Sequence, residues 1–233
     1  FKNVSYKYPE SNRITLKDLN FHIKTGEKIC VAGFPGAGRS TMINLTATLF
    51  HNYEGFITFN GTTLKNIDLI DLRSYVGENL AKKEIINGTF KENISMGVEE
   101  TTFEDIKQAA DAVNLTEYIQ STELGWDTEV VPEDMTIPSN VVKKIAMARS
   151  IAEHPRLFIL DDFLTGLSVQ DKNKIIGELT GADKPWTLIA ASNQGLFAAK
   201  CDRIFIMDQG AIIDSGTYEE MKKKPYFNEI FAL

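Results

Sequence analysis

The sequence is poor in cysteine, in basic charge and in long apolar segments. Among its 233 residues are two cysteines, Cys30 and Cys201, which lie far apart and form neither a metal-binding pattern nor a disulfide framework. The formal net charge is −7, which argues against a nucleic-acid binder. No apolar run approaches the roughly 20 residues needed to cross a bilayer, and no signal peptide is recognisable. We therefore expect an intracellular chain in which Cys30 is a small core residue.

Apolar residues make up 43% of the chain and charged residues 24%, which is ordinary for a globular domain. Alternating apolar and polar residues over 1–21 predict antiparallel strands, and hairpins are predicted at 54–64 and 204–214. Between them, apolar runs alternate with segments of helical periodicity. Buried strands are predicted at 28–32, 157–160 and 187–191, and helices at 40–50, 103–120, 142–153 and 169–179. This alternation predicts an α/β fold with a mostly parallel sheet and an antiparallel part.

A glycine-rich loop separates the strand at 28–32 from the helix that follows it. The segment Gly33–Thr41 fits the phosphate-loop pattern G-x-x-x-x-G-K-[ST] at every position except the lysine, which is Arg39. Glycines let backbone N–H groups approach phosphate oxygens, and the hydroxyl of Ser40 can reach Mg²⁺. Arginine keeps the charge but is larger and forked, so the alignment of a terminal phosphate is at risk. The nucleotide-binding residues are predicted to be Gly33, Gly36, Gly38, Arg39, Ser40 and Thr41; a ligand-free glycine turn is the alternative.

A second strand ends in two carboxylates, Asp161 and Asp162. In phosphate-loop NTPases an Asp at this place holds Mg²⁺, and Asp161 is predicted to do so here. A carboxylate just beyond it acts as a general base on the attacking water, and Asp162 is the candidate. A base must lie within roughly 2.6–3.2 Å of the water that it activates. Aspartate is one methylene shorter than glutamate, and this difference can move its carboxylate out of that range. The alternative is an Asp pair that merely caps a turn.

Taken together, these motifs resemble a known family. The phosphate loop, the acidic strand more than a hundred residues later, and the segments between and around them resemble the ATP-binding cassette of ABC transporters, in particular the exporter type. The supporting segments are FKNVSYKYP at 1–9, GTFKENI at 88–94, GWDTEVV at 125–131, KKIAMARSI at 143–151, His154-Pro155, and CDRI at 201–204. The resemblance covers essentially the whole chain.

The resemblance implies a P-loop NTPase core with a mostly parallel sheet, an antiparallel β subdomain and a helical subdomain at roughly 80–155, all within a single domain over 1–233. It also implies that Tyr8 stacks on adenine, that ATP and Mg²⁺ bind, and that 130–135 and 72–94 face a transmembrane domain. A half-buried strand tyrosine is the alternative for Tyr8. The partners would be that transmembrane domain and a second nucleotide-binding domain, with no nucleic acid. The location would be the cytoplasmic face of a membrane, within a larger membrane protein.

Several positions depart from the family pattern. The loop glutamine falls on Ala81, which cannot ligate a metal, and the switch histidine falls on Asn193, which cannot become a cation. The L-S-G-G-Q signature falls on 137–141, where Pro138 lacks an N–H and Asn140 replaces a glycine. The aspartate after the acidic strand falls on Ser168.

Such domains work as head-to-tail pairs, in which each site combines the phosphate loop of one domain with the signature of the other. The departures therefore affect both of the surfaces that make up a site. The leading hypothesis is therefore a degenerate ATP-binding domain of an exporter-like transporter, with weak or no hydrolysis, in which Asp162 and Asn193 are doubtful catalytic residues. It would act through dimerisation or regulation. One alternative is a slow but active transport ATPase in which Arg39, Asp162 and Asn193 substitute adequately. The other is an interaction scaffold that no longer uses nucleotide, against which the retained loop glycines and Asp161 weigh.

Overall fold

The computed structural model describes residues 1–79, 85–98, 100–131 and 137–231. The strands are β1 (Lys2–Lys7), β2 (Ile14–Leu19), β3 (Lys28–Gly33), β4 (Tyr53–Phe56), β5 (Thr58–Phe59), β6 (Thr62–Thr63), β7 (Val76–Asn79), β8 (Gly88–Thr89), β9 (Glu129–Val130), β10 (Leu157–Asp161), β11 (Thr187–Ala191), β12 (Arg203–Asp208) and β13 (Ala211–Gly216). The helices are α1 (Arg39–Thr46), α2 (Leu69–Ser74), α3 (Phe90–Ser95), α4 (Phe103–Ala112), α5 (Thr116–Ser121), α6 (Ser139–Ala152), α7 (Val169–Thr180), α8 (Gly195–Ala198), α9 (Tyr218–Met221) and α10 (Phe227–Ile230).

A six-stranded sheet forms the centre, in the order β13-β12-β3-β11-β10-β7. The β12–β3, β3–β11, β11–β10 and β10–β7 pairs are parallel, and β13 is antiparallel to β12 at one edge. A second sheet, β2-β1-β4, is antiparallel. The predicted α/β class with a mostly parallel sheet and an antiparallel part is confirmed.

The two faces of the central sheet pack against different elements because side chains alternate along each strand. In β3, Cys30 and Ala32 belong to a core with the buried faces of α4, α6 and α7, whereas Ile29 and Val31 belong to a core with α1, β1 and β2. Strands β10 and β11 alternate in the same way. The central strands therefore consist of near-continuous apolar runs, as is typical of parallel sheets covered on both sides. Cys30 is fully buried, as predicted.

The predicted strands at 28–32, 157–160 and 187–191 are present within one residue at each end, and the strands in 1–21 are antiparallel as expected. In the segment 54–64 the hairpin consists of β5 and β6, turning at Asn60 and Gly61 with φ of 48° and 84°. The segment before it, β4, pairs with β1 instead. Among the described elements, eight have no counterpart in the sequence prediction: β7, β8, β9, α2, α3, α8, α9 and α10.

The single helix predicted at 103–120 is wrong. The chain forms α4 and α5, interrupted at Asn114, which has a left-handed φ of 57° and donates a side-chain hydrogen bond to Asp171 at 2.8 Å. Helix α1 ends at Thr46 rather than at residue 50, because Thr48 has a φ of 61°. Helix α6 begins three residues earlier than predicted, at Ser139.

Helices α3 to α6 lie between residues 90 and 152. That they belong to a helical subdomain at roughly 80–155 within a single domain stays a prediction. Among the helices of the described ranges, none has the length and apolarity needed to span a membrane.

Candidate functional site

The predicted site residues meet at one end of the central sheet. Gly33 ends β3, Asp161 ends β10, and Asn193 follows β11 by two residues. Strand β11 lies between β3 and β10, and all three strands are parallel, so their carboxyl ends lie side by side. This edge of an open α/β sheet is where ligands bind in such folds.

Two glycines of the loop are required by the local backbone. A Cβ on Gly33 would lie 2.1 Å from the backbone oxygen of Met207 on β12, and φ at Gly33 is +151°. Gly38 has a φ of +94°, and a Cβ there would lie 2.9 Å from Leu16. A Cβ on Gly36, by contrast, would have no atom within 4 Å. Packing against β12 and β2 thus accounts for two glycines that the phosphate-loop pattern attributes to ligand approach.

Helix α1 begins directly after this loop, with Gly38 as its N-cap. The N-cap has no side chain to bond the first-turn N–H groups, and the first turn contains no acidic residue. Orphan N–H groups and the positive end of the helix dipole favour an anion at this point. The adjacent cation, Arg39, adds to that preference.

The hydroxyl of Ser40 lies near the carboxyl of Asp161 at the base of the loop. Burial raises the pKa of the Asp161 carboxyl above its ordinary value, although the hydrogen bond from Ser40 opposes this shift; the neighbouring Asp162 raises the pKa further. Hydroxyl and carboxylate oxygens are ligands that Mg²⁺ accepts. The predicted metal residues therefore lie together.

Arg39 and Asn193, 154 positions apart, contact each other. The Nη1 of Arg39 donates to Oδ1 of Asn193 at 2.6 Å. The same oxygen accepts from the backbone N–H of Gly33 at 3.1 Å, and Nδ2 of Asn193 donates to the Gly33 carbonyl at 3.0 Å. The two positions where the sequence departs from phosphate-loop lysine and switch histidine thus form a single hydrogen-bonded group.

Asp162, the candidate base, lies next to Asp161 but has its own partner. Its backbone has a left-handed φ of 45°, and its Oδ1 accepts a hydrogen bond from the Thr165 hydroxyl at 2.5 Å. Its N–H donates to the carbonyl of Ala191 at 3.3 Å. The carboxylate therefore already accepts a hydrogen bond within its own turn, which agrees with the alternative that the Asp pair caps a turn. Its role as a general base stays a prediction.

Tyr8 lies beside the phosphate-loop helix. Its hydroxyl and that of Thr41 are 3.0 Å apart and hydrogen-bonded, and its ring meets Tyr6 and Phe50 edge-on, with centroids 5.1 Å and 5.5 Å away. The side chain is 37% exposed. The ring is therefore held near the loop by an apolar cluster, and stacking on adenine stays a prediction.

The signature segment opens α6. Pro138 is the N-cap, and its carbonyl accepts the N–H groups of Val141 at 2.9 Å and Val142 at 3.2 Å. The side chain of Asn140 is partly buried. Ala81 lies outside the described residues, as do 132–135 of the segment expected to face a transmembrane partner.

Ser168 occupies the N-cap of α7, where its Oγ accepts the N–H of Asp171 at 3.1 Å and donates to Oδ2 of Asp171 at 2.8 Å. Asp171 also pairs with Lys144 of α6 at 2.7 Å. Sequence reasoning missed this buried ion pair, since a lysine and an aspartate at helical positions are ordinary surface residues. The only sequence signal was that each falls within the apolar face of its helix.

Mg²⁺ and a nucleotide phosphate fit this arrangement of residues. Within the described part of the chain, no group of three or more His, Cys, Asp or Glu side chains is placed to hold a metal. An Mg²⁺ shared with phosphates needs one or two carboxylates, which Asp161 can provide beside Ser40. Bound Mg²⁺ would neutralise charge on the phosphate oxygens. Arg39 and the N-terminus of α1 would bind the phosphates themselves.

Comparison with known proteins agrees with this geometry. A family model described as ABC transporter matches residues 16–165. The chain is 30% identical over 224 residues to an ATP-dependent lipid A-core flippase of Methylobacillus flagellatus, covering 95% of this chain and 38% of that protein. It is 29% identical over 222 residues to the transport/processing ATP-binding protein ComA of Streptococcus pneumoniae, covering 95% of this chain and 30% of that protein.

The structure of a bacterial Atm1-family ABC exporter with ATP bound superposes with a TM-score of 0.91 at 23% identity, covering 100% of this chain and 41% of that chain. This likeness concerns the fold. The chain spans less than half the length of each of these three proteins.

Proposed function

The chain belongs to the ABC transporter family, and from this premise we propose that it is an ATP-binding domain that binds Mg-ATP but hydrolyses it weakly or not at all. It would act on transport through dimerisation within an exporter-like membrane protein. The observation that carries the proposal is the contrast between two neighbouring carboxylates. Asp161 lies near the loop residue Ser40, whereas Asp162 accepts a hydrogen bond from Thr165.

Three features support nucleotide binding. The N-terminus of α1 has no capping side chain, and Arg39 is the first residue of this helix. Ser40 and Asp161 lie close to each other beside this N-terminus. In phosphate-loop NTPases the backbone of the loop and its basic residue cradle the phosphates, while a Ser or Thr and an acidic-strand Asp hold Mg²⁺. The chain keeps each of these components, with arginine in place of lysine.

The environment of Asp162 supports weak hydrolysis. A general base must lie within hydrogen-bond reach of the water it activates, and it contributes about 10²–10⁴-fold to the rate. Asp162 is shorter than glutamate and accepts a hydrogen bond from Thr165, which lowers its availability as a base. The neutral amide of Asn193 provides no cation beside the terminal phosphate.

The relatives support a proposal for the partners. ComA is named a transport/processing protein and the Methylobacillus protein a flippase, and the chain spans 30% and 38% of them. A transmembrane domain and a second ATP-binding domain would be the partners, with the chain at the cytoplasmic face of the membrane. Segments 72–94 and 130–135 would face the transmembrane domain.

A slow transport ATPase is the second candidate, favoured by the intact Ser40–Asp161 pair and the positive charge of Arg39. A nucleotide-independent scaffold is the third. It is disfavoured by the N-terminus of α1, which has no capping side chain, and by the half-buried carboxyl of Asp161 near Ser40.

Thermal unfolding with and without millimolar Mg-ATP separates these candidates. A ligand that binds only the folded state stabilises it by about 2.7 kcal/mol at a hundredfold excess over Kd. Each kcal/mol raises the midpoint by about 2–4 °C for a chain of this size. We expect a rise of about 5–11 °C that Arg39→Ala abolishes and the exposed control Lys174→Ala preserves.

A wild-type midpoint that does not move at saturating Mg-ATP would reject ATP binding by this chain and leave the scaffold. Where it moves, steady-state phosphate release decides between the first two candidates. Turnover near the common enzyme range of about 1–10³ s⁻¹ would reject weak hydrolysis.

A further inference from the structure

The amide of Asn193 has a fixed orientation. A backbone N–H can only donate and a carbonyl can only accept, so the two hydrogen bonds to Gly33 place Oδ1 on the N–H side and Nδ2 on the carbonyl side. Oδ1 then also accepts from Arg39, at 2.6 Å. The backbone at the end of β3 thus holds the amide, and the amide holds the guanidinium.

This orientation limits what Asn193 can offer a phosphate directly. An amide oxygen has two lone pairs, and both are directed at the donors on Gly33 and Arg39. One N–H of Nδ2 is used by the Gly33 carbonyl, so one remains. The guanidinium has five N–H donors, of which Asn193 takes one. Arg39 therefore keeps most of the donors at this point of the site.

We propose that Asn193 is a positioning residue for Arg39, and that the pair acts as one unit that reads the terminal phosphate of a nucleoside triphosphate. Arginine is long and flexible, and ordering it on a ligand costs rotamer freedom. Asn193 orders it in advance, which reduces the cost of binding. Asn193 thus supports triphosphate recognition through the arginine. This inference rests on the proposed function, because it presupposes nucleotide binding.

The test compares the affinity of Mg-ATP and Mg-ADP for the full chain by isothermal titration calorimetry. The variants are Asn193→Ala, Arg39→Gln and the double variant, with Asn173→Ala, an exposed residue of α7, as the matched control. Arg39→Gln removes the guanidinium and leaves the hydrogen bonds between Asn193 and Gly33 intact. The pairing can therefore be judged even where Asn193→Ala fails to fold.

Losing a hydrogen bond to a charged group predicts about tenfold weaker ATP binding for each single variant. ADP binding should fall by less than about threefold, so the ATP/ADP selectivity drops. The double variant should be no weaker than the weaker single variant, because the two side chains act together. Midpoints of unfolding without nucleotide identify any loss of ATP binding that comes from misfolding.

Additive losses in the double variant would overturn the pairing, as would an equal loss of ATP and ADP affinity. Tighter ATP binding in Asn193→Ala would also overturn it, since the hydrogen bond would then hold Arg39 away from the phosphate. If Asn193→Ala does not fold, unchanged ATP/ADP selectivity in Arg39→Gln overturns the pairing. A wild-type chain that binds neither nucleotide rejects the proposed function and the pairing together, whereas ATP binding with additive losses rejects the pairing alone.

Discussion

Replacing Lys144 by methionine removes one partner of a buried ion pair that joins two helices. Nζ of Lys144 on α6 lies 2.7 Å from Oδ1 of Asp171 on α7, and the side chains are 9% and 7% exposed. Nζ also donates to the carbonyl of Asn114 at 3.0 Å, where the predicted long helix is interrupted. Methionine keeps an unbranched stem of similar length without the charge.

The expected loss in free energy of unfolding is about 3–5 kcal/mol, because the change leaves a buried carboxylate without its cation. For a chain of this size, that loss corresponds to a midpoint about 6–20 °C lower. Urea denaturation followed by circular dichroism measures the loss, provided the slope m is unchanged. As a control, Lys107→Met removes an exposed pair with Glu104, 3.8 Å apart, and should cost less than about 1 kcal/mol.

The loss should depend on pH. Burial alone would raise the pKa of Asp171, but hydrogen bonds from Lys144, Asn114 and Ser168 outweigh it and hold the pKa below its ordinary value. Stability from a lowered carboxyl pKa is present above the unfolded pKa and is lost as pH falls through the folded one. Without Lys144, burial should dominate and the pKa should rise. The difference in free energy of unfolding between the wild type and Lys144→Met should therefore be largest at neutral pH and should decrease below about pH 5.

The double variant Lys144→Met/Asp171→Asn tests the cause. It removes the unpaired charge while an amide can still bond Asn114 and Ser168, so at least half of the lost stability should return. A Lys144→Met loss below about 1 kcal/mol, or a loss of equal size at about pH 4 and about pH 7.5, would refute the reasoning.

Substitutions at four positions of the nucleotide site also have expected outcomes. Burial raises the pKa of Asp161 in the ligand-free fold, so the wild type loses stability as pH rises through that pKa. Asp161→Asn should therefore unfold at a higher temperature than the wild type at pH 7 in EDTA, and at the same temperature in acid. Its midpoint of unfolding should not move when Mg-ATP is added. A lower midpoint for this variant at pH 7 would contradict the assignment. Gly33→Ala should lower the free energy of unfolding in urea by at least about 2 kcal/mol, because its Cβ would lie 2.1 Å from the Met207 oxygen. Gly36→Ala should lower it by about 1 kcal/mol, because only its positive φ opposes a side chain. Equal losses would contradict the packing explanation. Asp162→Glu should raise steady-state phosphate release at least about tenfold while Asp162→Asn leaves it unchanged, and a slower Asp162→Asn would favour the slow ATPase.

Local sequence patterns were sufficient for the buried strands at 28–32, 157–160 and 187–191. Strand β3 and its glycine loop, or β10 and its two carboxylates, each consist of consecutive residues, so periodicity and motif spacing reveal them. The error at 103–120 has a non-local cause. Asn114 adopts a left-handed φ and bonds Asp171, which is 57 positions away, so the helical periodicity around it did not predict the break.

The sequence by itself determined the class of fold, the phosphate loop and the carboxylates, because each depends on residues that are neighbours along the chain. Tertiary structure alone decided which of these groups bond each other. The strand order places the ends of β3, β11 and β10 side by side, and this brings Asn193 to Gly33 and Arg39. The same packing buries Lys144 against Asp171. Hydrogen bonds and ion pairs depend on distances of about 3 Å between side chains, and these distances arise only when the sheet and its helices pack.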